Sequence, residues 1–77
     1  MKVSQVTESA IGKRVKGIFT GLEVTGIIED IEHTKYNAAV KIKLDNPVQW
    51  FDDFYEYYWS SGRKSDEFGN LRHTEFI

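Results

Sequence analysis

One aromatic stretch, Trp50 to Trp59, constrains the fold of this chain more than any other feature. Seven of the eleven aromatic residues of the 77-residue chain fall within it, and three carboxylates stand among the rings. A domain of this size encloses a small core, so seven large rings cannot all be buried. We expect about half of them in the core, because the other segments offer mainly small aliphatic residues, and the remaining rings at the surface.

The absence of cysteine excludes disulfides and thiolate zinc sites and suits a reducing compartment, so we expect a cytoplasmic protein. The N-terminal Met-Lys-Val-Ser-Gln is not followed by an apolar run, and no segment approaches the roughly 18 apolar residues that span a bilayer. We expect no membrane association. The length predicts a single soluble domain, residues 1–77, in which residues 1–12 form a polar lead-in.

Alternation of apolar and polar residues predicts strands in the first half of the chain. Arg14–Phe19 alternates in this way, and Ala38–Leu44 does so most clearly. Residues 22–33 are rich in β-branched residues but alternate irregularly, and a bend at Gly26 would restore the pattern. We expect the strand from Ala38 to end at Asp45-Asn46-Pro47, because proline cannot donate to a ladder.

The aromatic stretch supports two interpretations. A helix is favoured by Asn46 as N-cap, Pro47 at the first helical position and Gln49 three residues after the cap. An extended conformation is favoured because Tyr and Trp prefer strands and a Ser-Ser-Gly break follows. We predict a loop or helical turn over residues 47–53 and a strand from about residue 54 to 60, with a continuous helix as the alternative.

Alternate residues of a strand lie on opposite faces of the sheet. One face of the predicted strand carries Tyr55, Tyr57 and Trp59, and the other carries Phe54, Glu56 and Tyr58. We expect one set in the core and the other in water. The helical alternative would expose a different set of rings.

Five short strands at hairpin spacing predict an all-β fold, a small antiparallel barrel with a short helical turn at most, since closure removes exposed strand edges. Four segments carry a further likeness: Gly12 to Phe19, the strand through Gly26, Val40 to Leu44 ending at Asp45, and Gly69 to Ile77 as the closing strand. In these segments the chain resembles an SH3-like barrel. The resemblance is architectural and points to no particular SH3-like family, so function must be argued from sites.

SH3-like barrels usually bind through aromatic and acidic residues around their loops, and the aromatic stretch is the richest such segment. Rings with carboxylates suit a cationic group or a polyproline helix with a basic anchor, and Tyr and Trp anchor protein interfaces. We expect a non-enzymatic protein- or peptide-binding module, either a monomer or a homodimer through exposed rings. The candidate binding residues are Trp50, Asp52, Asp53, Tyr55, Glu56, Tyr57 and Trp59.

A nucleic-acid-associated module is the first alternative. Arg14, Lys16, Lys41 and Lys43 fall on outward strand positions, and SH3-like domains of translation and transcription often contact RNA through such a basic β-surface. Outward lysines also serve solubility and edge protection. Exposed aromatic rings beside the lysines would favour nucleic acid, because bases stack on such rings.

Charge is divided unevenly along the chain. Residues 1–44 carry seven Lys and Arg against five Asp and Glu, whereas residues 45–77 carry three against seven. The net charge of −2 argues against a high-affinity, sequence-independent DNA binder. The acidic second half supports another alternative, an inhibitor from a mobile element that imitates nucleic acid.

No sequence motif organises a catalytic, metal or phosphate site. His33 and His73 are the only histidines, and adjacent acids such as Asp52 and Asp53 point to opposite faces of a strand rather than sharing a proton. We therefore expect no enzymatic activity, no catalytic residue, no metal and no cofactor. Arg63-Lys64 receives no role, because these cations can neutralise nearby acids.

Overall fold

The computed structural model describes residues 1–65, 70–71 and 73–77 and has the all-β fold that the alternation predicts. Two short 3-10 turns, Val3–Gln5 and Glu8–Ala10, precede the strands. The strands are β1 (Arg14–Phe19), β2 (Leu22–His33), β3 (Asn37–Trp50), β4 (Asp53–Arg63) and β5 (Glu75–Phe76).

All five strands belong to one antiparallel sheet in the order β4-β3-β2-β1-β5. Short turns join β1 to β2, β2 to β3 and β3 to β4, and β5 returns to pair with β1 at Val15 and Lys16. Closure of the predicted barrel is not seen, because no described residue of β4 pairs with β5. The all-β class is confirmed.

Aliphatic side chains form the core, as the alternation predicts for Ala38–Leu44 in β3. Two aliphatic side chains from residues 1–12, predicted as a polar lead-in, also enter the core, and so does one from the C-terminal segment. The buried apolar residues are Val6, Ala10, Val15, Ile28, Ala38, Val40, Ile42, Leu44, Val48 and Leu71.

The two ends of the chain are tied together over the inner face of the sheet. The Leu71 N–H donates to the Met1 carbonyl oxygen at 2.8 Å, and the Met1 amino group donates to the Thr74 carbonyl oxygen. The hydroxyl oxygens of Thr74 and Ser60 lie 2.6 Å apart, and both residues are buried. The ends of the chain therefore complete the core that a single sheet leaves open.

One extra residue bends β2. Its pairing with β3 shifts between Ile28 and Asp30, so that Glu29 forms a bulge. The predicted bend at Gly26 is wrong, because Gly26 lies within regular pairing. A Cβ at Gly26 would overlap the Lys43 carbonyl oxygen, so glycine here allows two strands to approach closely.

β3 continues to Trp50, so the predicted end at Asp45-Asn46-Pro47 is wrong. The pairing of β3 with β4 shifts register between Lys43 and Val48, and Pro47 lies inside this interruption. Proline is tolerated there because no ladder N–H is required of it.

The far halves of β3 and β4 form a two-stranded arm, residues 45–55. The pairing of β2 with β3 stops at the Gly26–Leu44 pair, so within the described residues the strands of the arm pair only with each other. Phe51 and Asp52 form the turn, and Phe51 adopts a φ of 56°.

Residues 47–53 form strand and tight turn rather than the predicted loop or helical turn. Cross-strand pairs such as Val48 with Tyr55 and Trp50 with Asp53 hold them extended, so the alternative of a continuous helix is also wrong. The predicted strand over residues 54–60 is confirmed within β4. A run this rich in Tyr, Trp and Phe suits a pleated surface, and the hairpin supplies each strand with a partner.

Of the predicted closing strand, Gly69 to Ile77, the described residues form a named strand only in β5. His73 has a φ of 56°, which interrupts extended backbone just before Glu75. Gly69 and Arg72 lie outside the described residues.

Candidate functional site

The rings of the aromatic stretch are either exposed or half-buried, and none of the seven is fully buried. The exposed rings are those of Trp50, Phe51, Phe54 and Trp59, and the half-buried rings are those of Tyr55, Tyr57 and Tyr58. The expectation that about half of them lie in the core is wrong, because aliphatic side chains from both ends of the chain fill the core instead.

The tip of the arm presents three exposed rings. Phe51 is 80% exposed, Phe54 70% and Trp50 43%. The Trp50 and Phe51 rings meet edge to face, with centroids 4.9 Å apart and planes at 76°. Asp52 and Asp53 lie between these aromatic residues in the chain and are exposed as well. A cluster of large exposed apolar side chains is typical of an interaction surface.

A groove of about 310 Å³ opens where the arm leaves the sheet. Beyond the Gly26–Leu44 pair, β2 and β3 are no longer paired as strands, so their facing edges diverge. The groove is lined by Leu22, Glu23, Val24, Thr25, Asp45, Asn46, Pro47 and Val48. Strand edges of this kind offer backbone donors and acceptors to an extended peptide.

Phe19, at the end of β1, braces the arm against the sheet. Its ring stacks on Tyr58 at a centroid distance of 4.9 Å and meets Tyr55 edge-on at 5.5 Å. Gly17 makes room for this cluster, since a Cβ there would overlap the Tyr58 hydroxyl oxygen. Burial raises the pKa of the Tyr58 phenol above its ordinary value.

Tyr55 and Tyr58 contact the same ring although they lie three residues apart. A regular strand would place them on opposite faces. The interrupted pairing of β3 with β4 beside Glu56 separates the two tyrosines and lets both turn toward Phe19. The predicted grouping of Tyr55 with Tyr57 on one face is therefore wrong.

Tyr57 and Trp59 lie on the outer face of the sheet beside two lysines of β3. The register pairs Tyr57 with Lys43 and Trp59 with Lys41. The Lys41 Nζ lies 4.6 Å from the centroid of the Tyr57 ring, within cation–π range. Trp59 is 48% exposed, and Lys43 makes no ion pair with a described residue. One exposed ring, that of Trp59, and one half-buried ring, that of Tyr57, therefore lie beside these lysines.

Arg14 and Lys16 lie on β1, and β2 separates them from Lys41 and Lys43. The Arg14 guanidinium makes two hydrogen bonds to Asp45, at 2.6 and 3.2 Å, and the Lys16 ammonium lies 3.6 Å from Glu75. The four predicted basic residues therefore form two separate pairs. The charge of the β1 pair is compensated by local carboxylates.

Asp45 holds three strands together at the base of the arm. Besides Arg14, the Thr25 hydroxyl donates to its carboxylate at 2.6 Å. The hydrogen bond from Arg14, followed by that from Thr25, holds the pKa of the Asp45 carboxyl below its ordinary value. This contact joins β1, β2 and β3 at the position where β2 and β3 diverge.

The seven predicted binding residues are thus distributed along the hairpin. Trp50, Asp52 and Asp53 lie at the tip of the arm, and Glu56 is exposed at the interruption. Tyr55 belongs to the ring cluster, whereas Tyr57 and Trp59 lie on the outer face.

Several residues near these sites were not predicted from the sequence. Phe51 and Phe54 are the most exposed rings of the aromatic stretch, and Leu22 lines the groove. Arg63 pairs with Asn37 near Trp59, and the Lys64 Nζ donates to the Thr34 carbonyl oxygen at 2.7 Å. Counting the hairpin register outward from the turn at Phe51 would have placed Arg63 on the face of Trp59.

The two histidines have different surroundings. The His33 Nε2 lies 2.6 Å from the Val6 carbonyl oxygen, which ties β2 to the N-terminal segment, and His73 is exposed. Among residues 1–65, 70–71 and 73–77, no cluster of three or more His, Asp or Glu residues could hold a metal ion. The lack of a catalytic residue stays a prediction.

The described part of the chain contains no helix with the length and apolarity needed to cross a membrane. A family model described as a domain of unknown function, DUF7258, matches residues 1–76. The match therefore spans the arm, the groove and the outer face. No curated protein matches the chain, and no solved structure matches it.

Proposed function

The chain belongs to the DUF7258 family, and we propose that it is a non-enzymatic module that binds a partner protein through the tip of the arm. The observation that carries the proposal is the exposure of the Trp50, Phe51 and Phe54 rings at the tip, which remain in water while aliphatic side chains fill the core. Large exposed rings on a short rigid hairpin lose little conformational entropy on binding and are typical interface anchors.

Charge determines which partner this surface suits. Residues 44–62 contain no Lys or Arg but four acids, and three of these, Asp52, Asp53 and Glu56, are exposed near the rings. A partner with an apolar pocket and a basic rim complements this pattern. A second copy of the chain does not, since pairing of two tips would bring like charges together.

The groove beside the arm extends the same surface. Its edges are residues 22–25 and 45–48. On their other sides, residues 22–25 pair with β1 and Val48 pairs with β4. Apart from the side-chain hydrogen bond from Thr25 to Asp45, no strand pairing joins residues 22–25 to residues 45–48. An extended segment of the partner can add backbone hydrogen bonds there while its apolar side chain meets Leu22 and Pro47. The tip then supplies affinity, and the groove fixes orientation.

The five antiparallel strands and the long bulged β2 support the SH3-like resemblance as part of this proposal. We infer a cytoplasmic setting from the lack of cysteine. The first inference concerns the fold of the module and the second its cellular setting, and neither identifies what the module binds.

Photo-crosslinking tests the proposal directly. Benzoylphenylalanine replaces Phe51 at the tip in one version of the protein and Tyr36, which is 66% exposed in the β2–β3 turn, in the matched control. We expect Phe51 to cross-link to one protein in host cells, and Tyr36 not to. Mass spectrometry identifies that protein, and calorimetry with the purified pair measures affinity.

In the calorimetric assay, Phe51→Ala should weaken binding by about 2 kcal/mol, roughly 30-fold, while Tyr36→Ala leaves it unchanged. Added salt should also weaken binding, because the proposed rim contacts are ionic. Cross-linking of the same protein from both positions, or equal affinities of the two alanine variants, would refute docking at the tip.

A further inference from the structure

A second surface lies on the outer face, on the half of the β3–β4 hairpin that is away from the tip of the arm. It is a depression of about 280 Å³ beside Trp59. Its other lining residues are Glu32, Thr34, Asn37, Ala39 and Ser61. The register explains the shape: Ala39 pairs with Glu32 on one side and Ser61 on the other, so small side chains lie next to the large indole.

The size of the depression limits its occupant. Pockets that enclose drug-sized ligands measure about 300–1,000 Å³, so this one suits a single ring system. Trp59 provides an apolar wall, and the side chains of Thr34, Asn37 and Ser61 provide hydrogen-bonding groups at the rim. A flat group with polar edges matches this combination.

Four cationic residues lie on or next to β3 and β4, the strands that form this part of the outer face. Lys41 is the direct cross-strand neighbour of Trp59, and Lys43 occupies the next outward position of β3. Lys64 is bonded to the carbonyl oxygen of Thr34, which itself lines the depression, and Arg63 follows on β4. Two carboxylates, Glu32 and Asp30, face these four cations from β2.

We propose that this face binds single-stranded nucleic acid, with one base stacked on Trp59 and backbone phosphates on Lys41, Lys43 and Lys64. Stacking on aromatic rings combined with a cationic track is how proteins hold single strands without reading their sequence. The excess of cations favours an anionic ligand over an arginine side chain, which would also stack on an indole but would be repelled by them. A duplex is disfavoured, because its bases are already stacked.

The Lys41 side chain prepares the surface for this role. Its ammonium rests over the Tyr57 ring at 4.6 Å and therefore leans away from Trp59 along the strand. The indole and the ammonium thus lie next to each other along the outer face of the β3–β4 hairpin. A flexible single strand can place a base on the indole and a phosphate on the ammonium.

Fluorescence anisotropy with labelled 15-nucleotide oligothymidylate and oligouridylate at low salt tests this proposal. We expect salt-dependent binding that Trp59→Ala weakens about tenfold or more, that Trp59→Phe largely retains, and that a 15-base-pair duplex does not reproduce. Lys43→Gln should weaken binding and lower the salt dependence by about one counterion. Lys16→Gln is the matched control, because Lys16 is equally outward but is paired with Glu75 on β1.

Trp50→Phe leaves Trp59 as the single tryptophan and gives a second readout. Stacking should quench its fluorescence when the oligonucleotide is added. An absence of binding at about 50 mM salt, equal binding by wild type and Trp59→Ala, or preferential binding of an arginine-rich peptide would overturn the proposal. Phe51→Ala should not affect oligonucleotide binding, so the outcome is independent of docking at the tip.

Discussion

The two halves of the β3–β4 hairpin share one aromatic stretch and differ in what supports them. Near the sheet, residues 38–43 of β3 are paired on both sides, and their lysines lie beside Tyr57 and Trp59. In the arm, residues 48–50 pair only with β4, residues 45–47 have no strand partner among the described residues, and the charge is acidic. Aromatic side chains of one stretch therefore lie among lysines where a third strand is paired and among carboxylates where it is not.

The largest expected effect is the difference in stability loss between removing a ring that packs at the base of the arm and removing a ring at its tip. Tyr58→Ala removes a half-buried ring stacked on Phe19 and should lower the free energy of unfolding by about 2–3 kcal/mol. Phe54→Ala, at a 70% exposed position, should change it by less than about 0.5 kcal/mol. Urea denaturation measures both. Equal losses would show that the tip is packed rather than presented.

A smaller effect tests the contact between Gly17 and Tyr58. Gly17→Ala places a Cβ against the Tyr58 hydroxyl oxygen and should destabilise the protein by about 1–3 kcal/mol. Tyr58→Phe removes that oxygen, so the alanine should be better tolerated in this background. Part of the loss should persist, because the Cβ would also lie 3.2 Å from the His73 carbonyl oxygen. Strictly additive losses in a double-mutant cycle would contradict the contact.

Alkaline pH should destabilise the ring cluster of Phe19, Tyr55 and Tyr58. Because burial raises the folded pKa of Tyr58, its neutral form contributes stability that is complete below the ordinary value of 10.0 and is lost as pH rises through the folded pKa. Urea midpoints measured across this range should therefore fall less in Tyr58→Phe than in wild type. Tyr36→Phe, at an exposed position, should follow the wild type.

The smallest effect concerns the base of the arm. The folded pKa of Asp45 is lowered by Arg14 and Thr25, so its contribution is present above the ordinary value of 3.8 and is lost as pH falls through the folded pKa. Asp45→Asn should reduce stability slightly near neutral pH and speed amide exchange in the arm. The difference from wild type should shrink in acid. A difference that persists at the lowest pH would mean that the carboxylate charge is not what closes the base.

Sequence patterns predicted the regular half of the hairpin and not the irregular one. The alternation of Ala38–Leu44 reports burial on one face directly, and the structure confirms it. The continuation of β3 through Pro47 could not be predicted from the neighbouring residues alone. Proline is tolerated there only because the pairing of β3 with β4 is interrupted at that position. The interruption is a property of two strands, whereas sequence patterns describe one.

Sequence patterns identified many residues of the candidate surfaces but did not predict which of them lie together. Trp50 to Trp59 looked like one acidic-aromatic site, yet the register shift sends Tyr55 toward Phe19 and leaves Trp59 among lysines. The core was misjudged for a related reason. Val6 lies in the predicted polar lead-in and Leu71 in the predicted closing strand, and only the return of both chain ends to the sheet shows that these side chains fill the core in place of rings.

At Phe51, the residue that favours partner binding is not the residue that favours stability. The φ of 56° at this position is a left-handed conformation that costs a non-glycine residue about 1–2 kcal/mol and costs glycine almost nothing. Phe51→Gly should therefore raise the unfolding midpoint while it removes the most exposed ring of the tip. A library of variants selected only for thermal resistance would discard this phenylalanine, whereas one selected for capture of a partner would keep it.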